Sequence, residues 1–248
     1  MNTIIPDDSF VKSIHGHKKK KGEQLFTPLV LVMLGVSALL IGFNVLQLQS
    51  VTGMATASVG GAYSAELSSL DINTLKSTGH TVAAVFPIQE FKTQEDVMRY
   101  MFPTGTPSYG AALSVSFDDP ITSLSTLARM YEGLKSEVKT NNPDGWQRFI
   151  SLATKPVGIS CEYCCGVGPI GVDSQGNSRC GCQHNPAMLS LALYLSAYTD
   201  MPDGQILQEA MKWKTLFFPK NMIELGLSLA GGDTSGLQEN LPGMVGGC

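Results

Sequence analysis

The sequence predicts a mainly α-helical protein, with one transmembrane helix followed by a small helical extracytoplasmic domain. Three observations support this: an uninterrupted apolar run near the N-terminus, recurring helix-start signals, and a Cys/His-rich segment in a chain with few other thiols. We expect the Cys/His segment to form a metal knuckle or a β-hairpin inside the helical domain. The chain has 248 residues, enough for one ordinary domain with flanking segments.

The apolar run covers residues 25–48 and contains no charged side chain. A helix of about 20 apolar residues spans the hydrocarbon core of a bilayer, and Pro28 is tolerated in the first helical turn. Four lysines at residues 18–21 precede the run, and no Lys or Arg follows it until Lys76. This bias predicts a single-pass protein of the cell membrane, with a cytoplasmic N-terminus and an extracytoplasmic C-terminal domain.

Two other interpretations of the N-terminal region stay open. A cleaved secretory signal would place Ala55-Thr56-Ala57 at the cut, although the apolar part of such signals spans only about 7–15 residues. Lys21-Gly22-Glu23 directly before the apolar helix resembles the processing site of type IV pilin-like precursors. That resemblance implies cleavage before the helix, and a pilin-like or scaffold component with a disulfide-stapled domain.

Composition divides the chain into five segments. A basic cytoplasmic segment at 1–24 and the transmembrane helix at 25–48 precede a Ser/Ala/Gly-rich stalk at 49–70, whose low hydrophobicity favours flexibility. A helical Cys/His domain is predicted at 71–225. The Gly-rich tail at 226–248 is predicted to be disordered.

The charge distribution argues against nucleic acid as a partner. From residue 71 onward the chain carries 12 basic and 17 acidic side chains, a net charge of −5. A mildly acidic surface repels phosphate. The predicted partners are the membrane and a metal ion, and a homo-oligomer or an unidentified membrane protein is compatible with the sequence.

Helix-start signals recur through the predicted domain. They consist of a capping residue with either an acidic residue three positions later or a Pro directly after it: Thr93 with Asp96, Asp119-Pro120, Asn142-Pro143 and Asn185-Pro186. Helical periodicity predicts a last helix over residues 203–218, ended by Pro219. A short strand is predicted at residues 80–87.

The segment from Cys161 to His184 holds five of the six cysteines and one of the four histidines. Its first half is a CxxC followed by Cys and Gly, in which the two-residue gap lets two sulfurs face one ion. Its second half brings two thiols and an imidazole within five residues. The turn-rich loop between the halves has 14 residues, a gap close to that of zinc modules, and predicts a hairpin with Gln175-Gly176-Asn177 at its tip.

Six side chains are therefore candidate metal ligands: Cys161, Cys164, Cys165, Cys180, Cys182 and His184. A tetrahedral zinc site uses four ligands, and the preferred set is Cys161, Cys164, Cys182 and His184. Cys165 and Cys180 would then be spare, support the ligands, or bind a second ion. Zinc is the predicted ion, with Cu(I) and an iron–sulfur cluster as alternatives because both also take thiolate ligands.

Two other uses of the same thiols stay open. Thiols outside the cytoplasm oxidise, so a disulfide framework with a pair such as Cys161–Cys180 is an alternative. The CEYC stretch is formally a redox motif, but the Gly and Pro residues after it do not continue as the helix that lowers the first thiol's pKa. No hydrolase arrangement is evident, because Asp118 and Asp119 suit helix capping and His80 suits an exposed polar role. The sequence therefore predicts binding rather than catalysis.

Cys180-Gly181-Cys182, with His184 close behind and an apolar helix after it, resembles the PCYCGC-motif lipoproteins and membrane-anchored proteins, a family of unknown function. The blocks FPTGTPSYG, VSFDDP, CEYCCG, CGCQH and WKTLFFPK together resemble archaeal-type membrane-anchored proteins with a CxxCC…CGCxH segment, over roughly residues 85–222. The resemblance implies metal binding, and it supplies neither a substrate nor a reaction.

Overall fold

The computed structural model describes residues 67–232 and 241–247. The predicted basic segment, the predicted transmembrane helix and most of the predicted stalk lie outside these residues, as does Cys248. Within the described ranges, no helix is both long and apolar enough to cross a membrane. The described residues belong to one compact unit.

The described part of the chain is mainly α-helical, as the sequence predicts. It contains no β-strand and eight α-helices. In chain order they are α1 (Thr78–Val85), α2 (Gln94–Met101), α3 (Gly110–Leu113), α4 (Pro120–Asn141), α5 (Pro143–Ala153), α6 (His184–Tyr198), α7 (Asp203–Phe217) and α8 (Pro219–Leu229). Two short 3-10 turns, Ile72–Thr74 and Ile88–Glu90, precede α1 and α2.

Three predicted helix starts form as the sequence indicates. Thr93 and Asp96 make a capping box at α2, in which each side chain accepts a hydrogen bond from the other residue's backbone N–H. Asp119 caps α4 and Asn142 caps α5, each through the backbone N–H three residues later, and Pro follows the cap in both helices. These contacts satisfy donors that the first turn of a helix leaves unpaired.

The predicted strand at residues 80–87 is wrong, because Thr78–Val85 forms α1. The Ser77 side chain caps this helix by accepting a hydrogen bond from the His80 N–H at 3.1 Å. The buried side chains of α1 recur at helical spacing and are Thr78, Thr81, Val82 and Val85. Burial of this one face outweighs the strand preference of Val and Thr.

Helix α6 lies at the centre of the domain and packs against α4, α5 and α7. It is apolar on nearly all sides, as expected for a helix surrounded by others. It begins at His184, one residue before the predicted Asn185-Pro186 start, and the preceding Gln183 makes no side-chain cap. His184 and Asn185 are therefore buried at the N-terminal end of the central helix.

The ordered domain continues past the predicted boundary at residue 225. Helix α8 includes Gly226, because its apolar face, with Met222, Ile223 and Leu227, is buried. Residues 241–247 also lie against the domain: the Val245 N–H donates to the Phe217 carbonyl at 2.8 Å. Residues 226–229 are therefore helical and residues 241–247 contact the domain, although composition predicts a disordered tail from residue 226.

Candidate metal centre

The loop between the two cysteine stretches folds back on itself. Val172 and Ser178 form an antiparallel bridge, and Ile159 forms a parallel bridge with Ile170. These are isolated bridges, so the predicted hairpin is reduced to a bridged turn. Gly176 at the turn has φ of +81°, a left-handed conformation that glycine adopts without strain.

Asn185 ties this turn to the first cysteine stretch. Its Oδ1 accepts a hydrogen bond from the Cys161 backbone N–H at 3.3 Å. Its Nδ2 donates to the Gly171 carbonyl at 2.7 Å and to the Ser178 Oγ at 2.7 Å. The side chain is fully buried, where unpaired polar groups are costly. Asn185 therefore links the bridged turn to the first cysteine stretch and does not act as the predicted helix cap. The sequence signal for this role is a polar residue next to the cysteine segment in an otherwise very apolar helix.

Four cysteine sulfurs lie together where the two stretches meet. The Sγ atoms of Cys161, Cys165, Cys180 and Cys182, here called the four-sulfur group, all lie within 4.8 Å of one another. The Cys161 and Cys165 sulfurs are 3.2 Å apart, and those of Cys180 and Cys182 are 3.4 Å apart. Such convergence is what a tetrahedral thiolate site requires.

A second set of ligand atoms, here called the histidine group, comes from Cys164, Cys182 and His184, again within 4.8 Å of one another. The His184 Nε2 lies 2.7 Å from the Val245 carbonyl oxygen. A carbonyl only accepts hydrogen bonds, so Nε2 carries the proton and Nδ1 holds the lone pair. The Nδ1 atom is buried and has no hydrogen-bond partner within the described part of the chain, so it is the nitrogen able to bind a metal.

Burial sets the protonation of both buried ligands. Desolvation lowers the pKa of His184, against a smaller opposing effect of the hydrogen bond to Val245. The imidazole is therefore neutral at neutral pH, which is its metal-binding form. Desolvation, with a contribution from Cys182, raises the pKa of Cys161 to about 12. Without a metal, Cys161 is thus a protonated thiol and a weak nucleophile at neutral pH.

Part of the cluster is oxidised. Cys165 and Cys180 form a disulfide with their Cα atoms 6.6 Å apart, and Cys164 is also disulfide-bonded. Cys161 and Cys182 are free thiols. The suggested Cys161–Cys180 disulfide is wrong, because Cys180 is bonded to Cys165 and Cys161 is a free thiol.

The structure assigns every predicted ligand residue to one or both of the two groups. The preferred set does not form a single group: Cys161 belongs to the four-sulfur group, whereas Cys164 and His184 belong to the histidine group. Cys182 belongs to both.

A buried ion pair lies beside Cys161 and was not predicted. Lys214 on α7 is fully buried, and its Nζ is 3.0 Å from the Glu162 Oε2. The same carboxylate oxygen accepts a hydrogen bond from Thr78 Oγ1 at 2.5 Å. Desolvation lowers the pKa of Lys214, and Glu162 opposes this effect. The ammonium also lowers the pKa of Cys161, so it favours negative charge on that sulfur. Lys214 lies at helical spacing within the apolar face of α7, and this position is the sequence signal that could have predicted its burial.

Comparison of the chain with protein-family models, curated proteins and solved structures finds no match. The resemblance to the PCYCGC-motif proteins therefore stays a prediction. The chemical character of the site therefore follows from the positions of its own residues alone.

Proposed function

We propose that this chain is a membrane-anchored, extracytoplasmic metal-binding protein whose Cys/His segment holds zinc when its cysteines are reduced. The observation that carries the proposal is the setting of His184. This residue is fully buried, its Nε2 is hydrogen-bonded to a carbonyl, and its Nδ1 has no hydrogen-bond partner among the described residues. A buried polar atom without a partner costs about 1–3 kcal/mol, and a metal ion would supply the missing partner. Metal-binding histidines characteristically donate their other ring N–H to a carbonyl or carboxylate.

The donor set supports zinc as the ion. Thiolates with one neutral imidazole are the ligands of structural zinc sites. Cu(I) and an iron–sulfur cluster are the alternatives, since both accept the same soft donors. Burial of Cys161 and Cys182 keeps two of the candidate thiolates away from solvent, which favours a structural role for the ion.

The membrane anchor is part of the same proposal, and it rests on the apolar run at residues 25–48 with lysines on one side only. The full chain is expected to stay with membranes after an alkaline carbonate wash. A chain lacking residues 25–48 is expected in the soluble fraction. Recovery of the full chain in the soluble fraction would overturn the anchor and leave metal binding unaffected.

Zinc affinity of the reduced and oxidised chain tests the metal proposal. The detergent-solubilised full chain is reduced with a phosphine under argon and titrated with zinc against a chromophoric chelator. The reduced chain should bind zinc, and the oxidised chain should bind it at least about ten-fold more weakly, because the Cys165–Cys180 disulfide withdraws two thiolates.

A matched pair of histidine variants makes this test specific. His184→Gln should weaken zinc binding at the histidine group by about ten-fold or more. His80→Gln, at an exposed histidine outside both ligand groups, should leave it unchanged. Equal affinities for the wild type and His184→Gln would remove the histidine from the site.

The disulfide supports a second candidate function, thiol–disulfide exchange. Cys165 is exposed, and the Cys161 sulfur lies 3.2 Å from it. Attack by Cys161 on Cys165 would form a Cys161–Cys165 bond and release Cys180 as a thiolate. We rank this function second because burial keeps Cys161 protonated. Turnover with a disulfide substrate that Cys161→Ser abolishes would reverse the ranking.

A further inference from the structure

We propose that the reduced Cys/His segment binds two thiophilic divalent ions and that the Cys182 thiolate bridges them. The inference rests on the proposed metal-binding function. Among the described side chains, Cys182 is the one shared by the four-sulfur group and the histidine group. One ion takes the four-sulfur group, Cys161, Cys165, Cys180 and Cys182, and the other takes the histidine group, Cys164, Cys182 and His184.

Neither group alone accounts for the buried ligand atoms. A single ion in the four-sulfur group leaves the His184 Nδ1 buried with no partner in the part of the chain that the structure describes, and such an atom costs about 1–3 kcal/mol. A single ion in the histidine group leaves the buried thiol of Cys161 unused. Two ions sharing the Cys182 sulfur give every one of the grouped side chains a metal partner.

Charge also favours the second ion. One divalent ion with four thiolates carries two excess negative charges, and burying net charge is costly. A second divalent ion adds one more thiolate, from Cys164, and a neutral imidazole, so the whole cluster carries a single excess negative charge. The buried Lys214 ammonium, which acts electrostatically on Cys161, offsets negative charge on the same side of the cluster.

The ion in the four-sulfur group requires reduction of the Cys165–Cys180 disulfide. The ion in the histidine group requires reduction of the disulfide that Cys164 forms. A phosphine attacks one sulfur, the S–S bond breaks, and the other sulfur leaves as a thiolate. Water then converts the phosphorus adduct to the phosphine oxide and releases the second thiol, so each disulfide consumes one phosphine and one water. Metal binding afterwards displaces the thiol protons.

Cobalt(II) is the probe, because it takes zinc sites and its unpaired electrons report a shared sulfur. The phosphine-reduced full chain is loaded anaerobically with cobalt, freed of excess ion, and measured for cobalt per chain and for low-temperature paramagnetic resonance. We expect two cobalt ions per chain, with a resonance signal strongly attenuated by coupling through the bridging sulfur.

Cys164→Ser separates the two ions, since it removes a ligand of the histidine group and leaves the four-sulfur group whole. This variant should bind one cobalt ion and show the full signal of an uncoupled ion. His184→Gln is a second variant with the same expectation, and His80→Gln is the control that should behave as the wild type. Far-UV circular dichroism checks that each variant keeps its helices.

The outcomes are distinct. One cobalt ion in the wild type, unchanged by Cys164→Ser, would overturn the second ion and leave the proposed metal-binding function standing. Two ions with undiminished resonance would overturn the bridge. No bound cobalt in the reduced wild type, together with no bound zinc, would overturn the proposed function itself.

Discussion

His184 depends on a few side chains and one carbonyl that hold its ring in a single orientation. The rings of Phe217 and Phe218 lie 5.7 and 4.9 Å from it, and the Val245 carbonyl fixes the proton on Nε2. This fixed tautomer presents Nδ1 as a ready ligand, so ordering the ring costs little when an ion binds.

Acidification is expected to destabilise the metal-free chain through His184. Desolvation lowers its pKa below the ordinary value of 6.5, so below that pH the unfolded chain takes up a proton that the folded chain excludes. The stability that His184 contributes is therefore complete above about pH 6.5 and is lost as the pH falls toward the folded-state pKa.

Thermal unfolding of the metal-free chain between about pH 7.5 and pH 5 measures this effect. The wild type should lose Tm across the window, and His184→Phe, which keeps a ring against Phe217 and Phe218, should lose less. Asp119, whose Thr122 hydrogen bonds lower its pKa from 3.8, titrates below this range. Identical slopes for the two chains would contradict the assignment.

Lys214 is expected to support metal binding by its charge. Lys214→Met keeps most of the side-chain volume and removes the cation that favours negative charge on Cys161. Zinc affinity of the reduced variant should fall on the order of ten-fold in the chelator competition. Glu162→Gln, which removes the opposing carboxylate instead, should not lower it. Unchanged affinity in Lys214→Met would exclude this electrostatic role.

At the scale of elements, the bridged turn and the last described stretch hold the two cysteine halves and His184 in place. The turn is fixed through Asn185, and the stretch 241–247 is fixed by Val245 on one side and by the Gln183 side chain, which donates to the Gly247 carbonyl at 2.7 Å. The hydrogen bonds of Asn185, Val245 and Gln183 each join segments that are apart in the sequence.

Gly171→Ala should destabilise the turn by about 1–3 kcal/mol, because added volume in a filled site displaces its neighbours. A Cβ at residue 171 would lie 2.3 Å from the Asn185 Oδ1 and 2.9 Å from the Ile159 carbonyl oxygen. Gly181→Ala is the matched control, because a Cβ there meets nothing within 4 Å. Chemical denaturation measures the free energy of unfolding of both variants. Equal losses of this free energy would contradict the role of the Asn185 contact.

Removal of residues 241–248 should weaken zinc binding at the histidine group about ten- to a hundred-fold, since it takes away the carbonyl that orients His184. Cys248→Ser is the control, because it changes the terminal cysteine and keeps Val245. If the truncated chain and Cys248→Ser bind zinc equally well in the chelator competition, the last described stretch has no part in the site.

Local signals in the sequence predict where several of the helices begin. The caps at Thr93, Asp119 and Asn142 form because the capping side chain and its backbone partner are only three residues apart. The sequence predicts a strand in place of α1 because the Val and Thr residues there suit both structures, and only burial of one face decides between them. The Val245 contact to His184 spans 61 residues, and no local pattern encodes it.

At the scale of the whole molecule, the candidate ligands could be predicted because five cysteines and a histidine lie in one short segment. Their grouping could not, because it depends on how the loop folds against α6 and on Asn185. Lys214 is 52 residues from Glu162, and the core of the domain, not the segment itself, brings them together. The proposed anchor would place this domain outside the cytoplasm, where the redox state of the thiols would decide whether a metal is held.

Metal content of the full chain, purified anaerobically from membranes and paired with a count of alkylatable thiols, tests the central claim most directly. We predict stoichiometric zinc and cysteines that resist alkylation until a chelator removes the ion. A chain that carries no metal after reduction, and whose thiols react freely with or without the chelator, would contradict a metal centre in this segment.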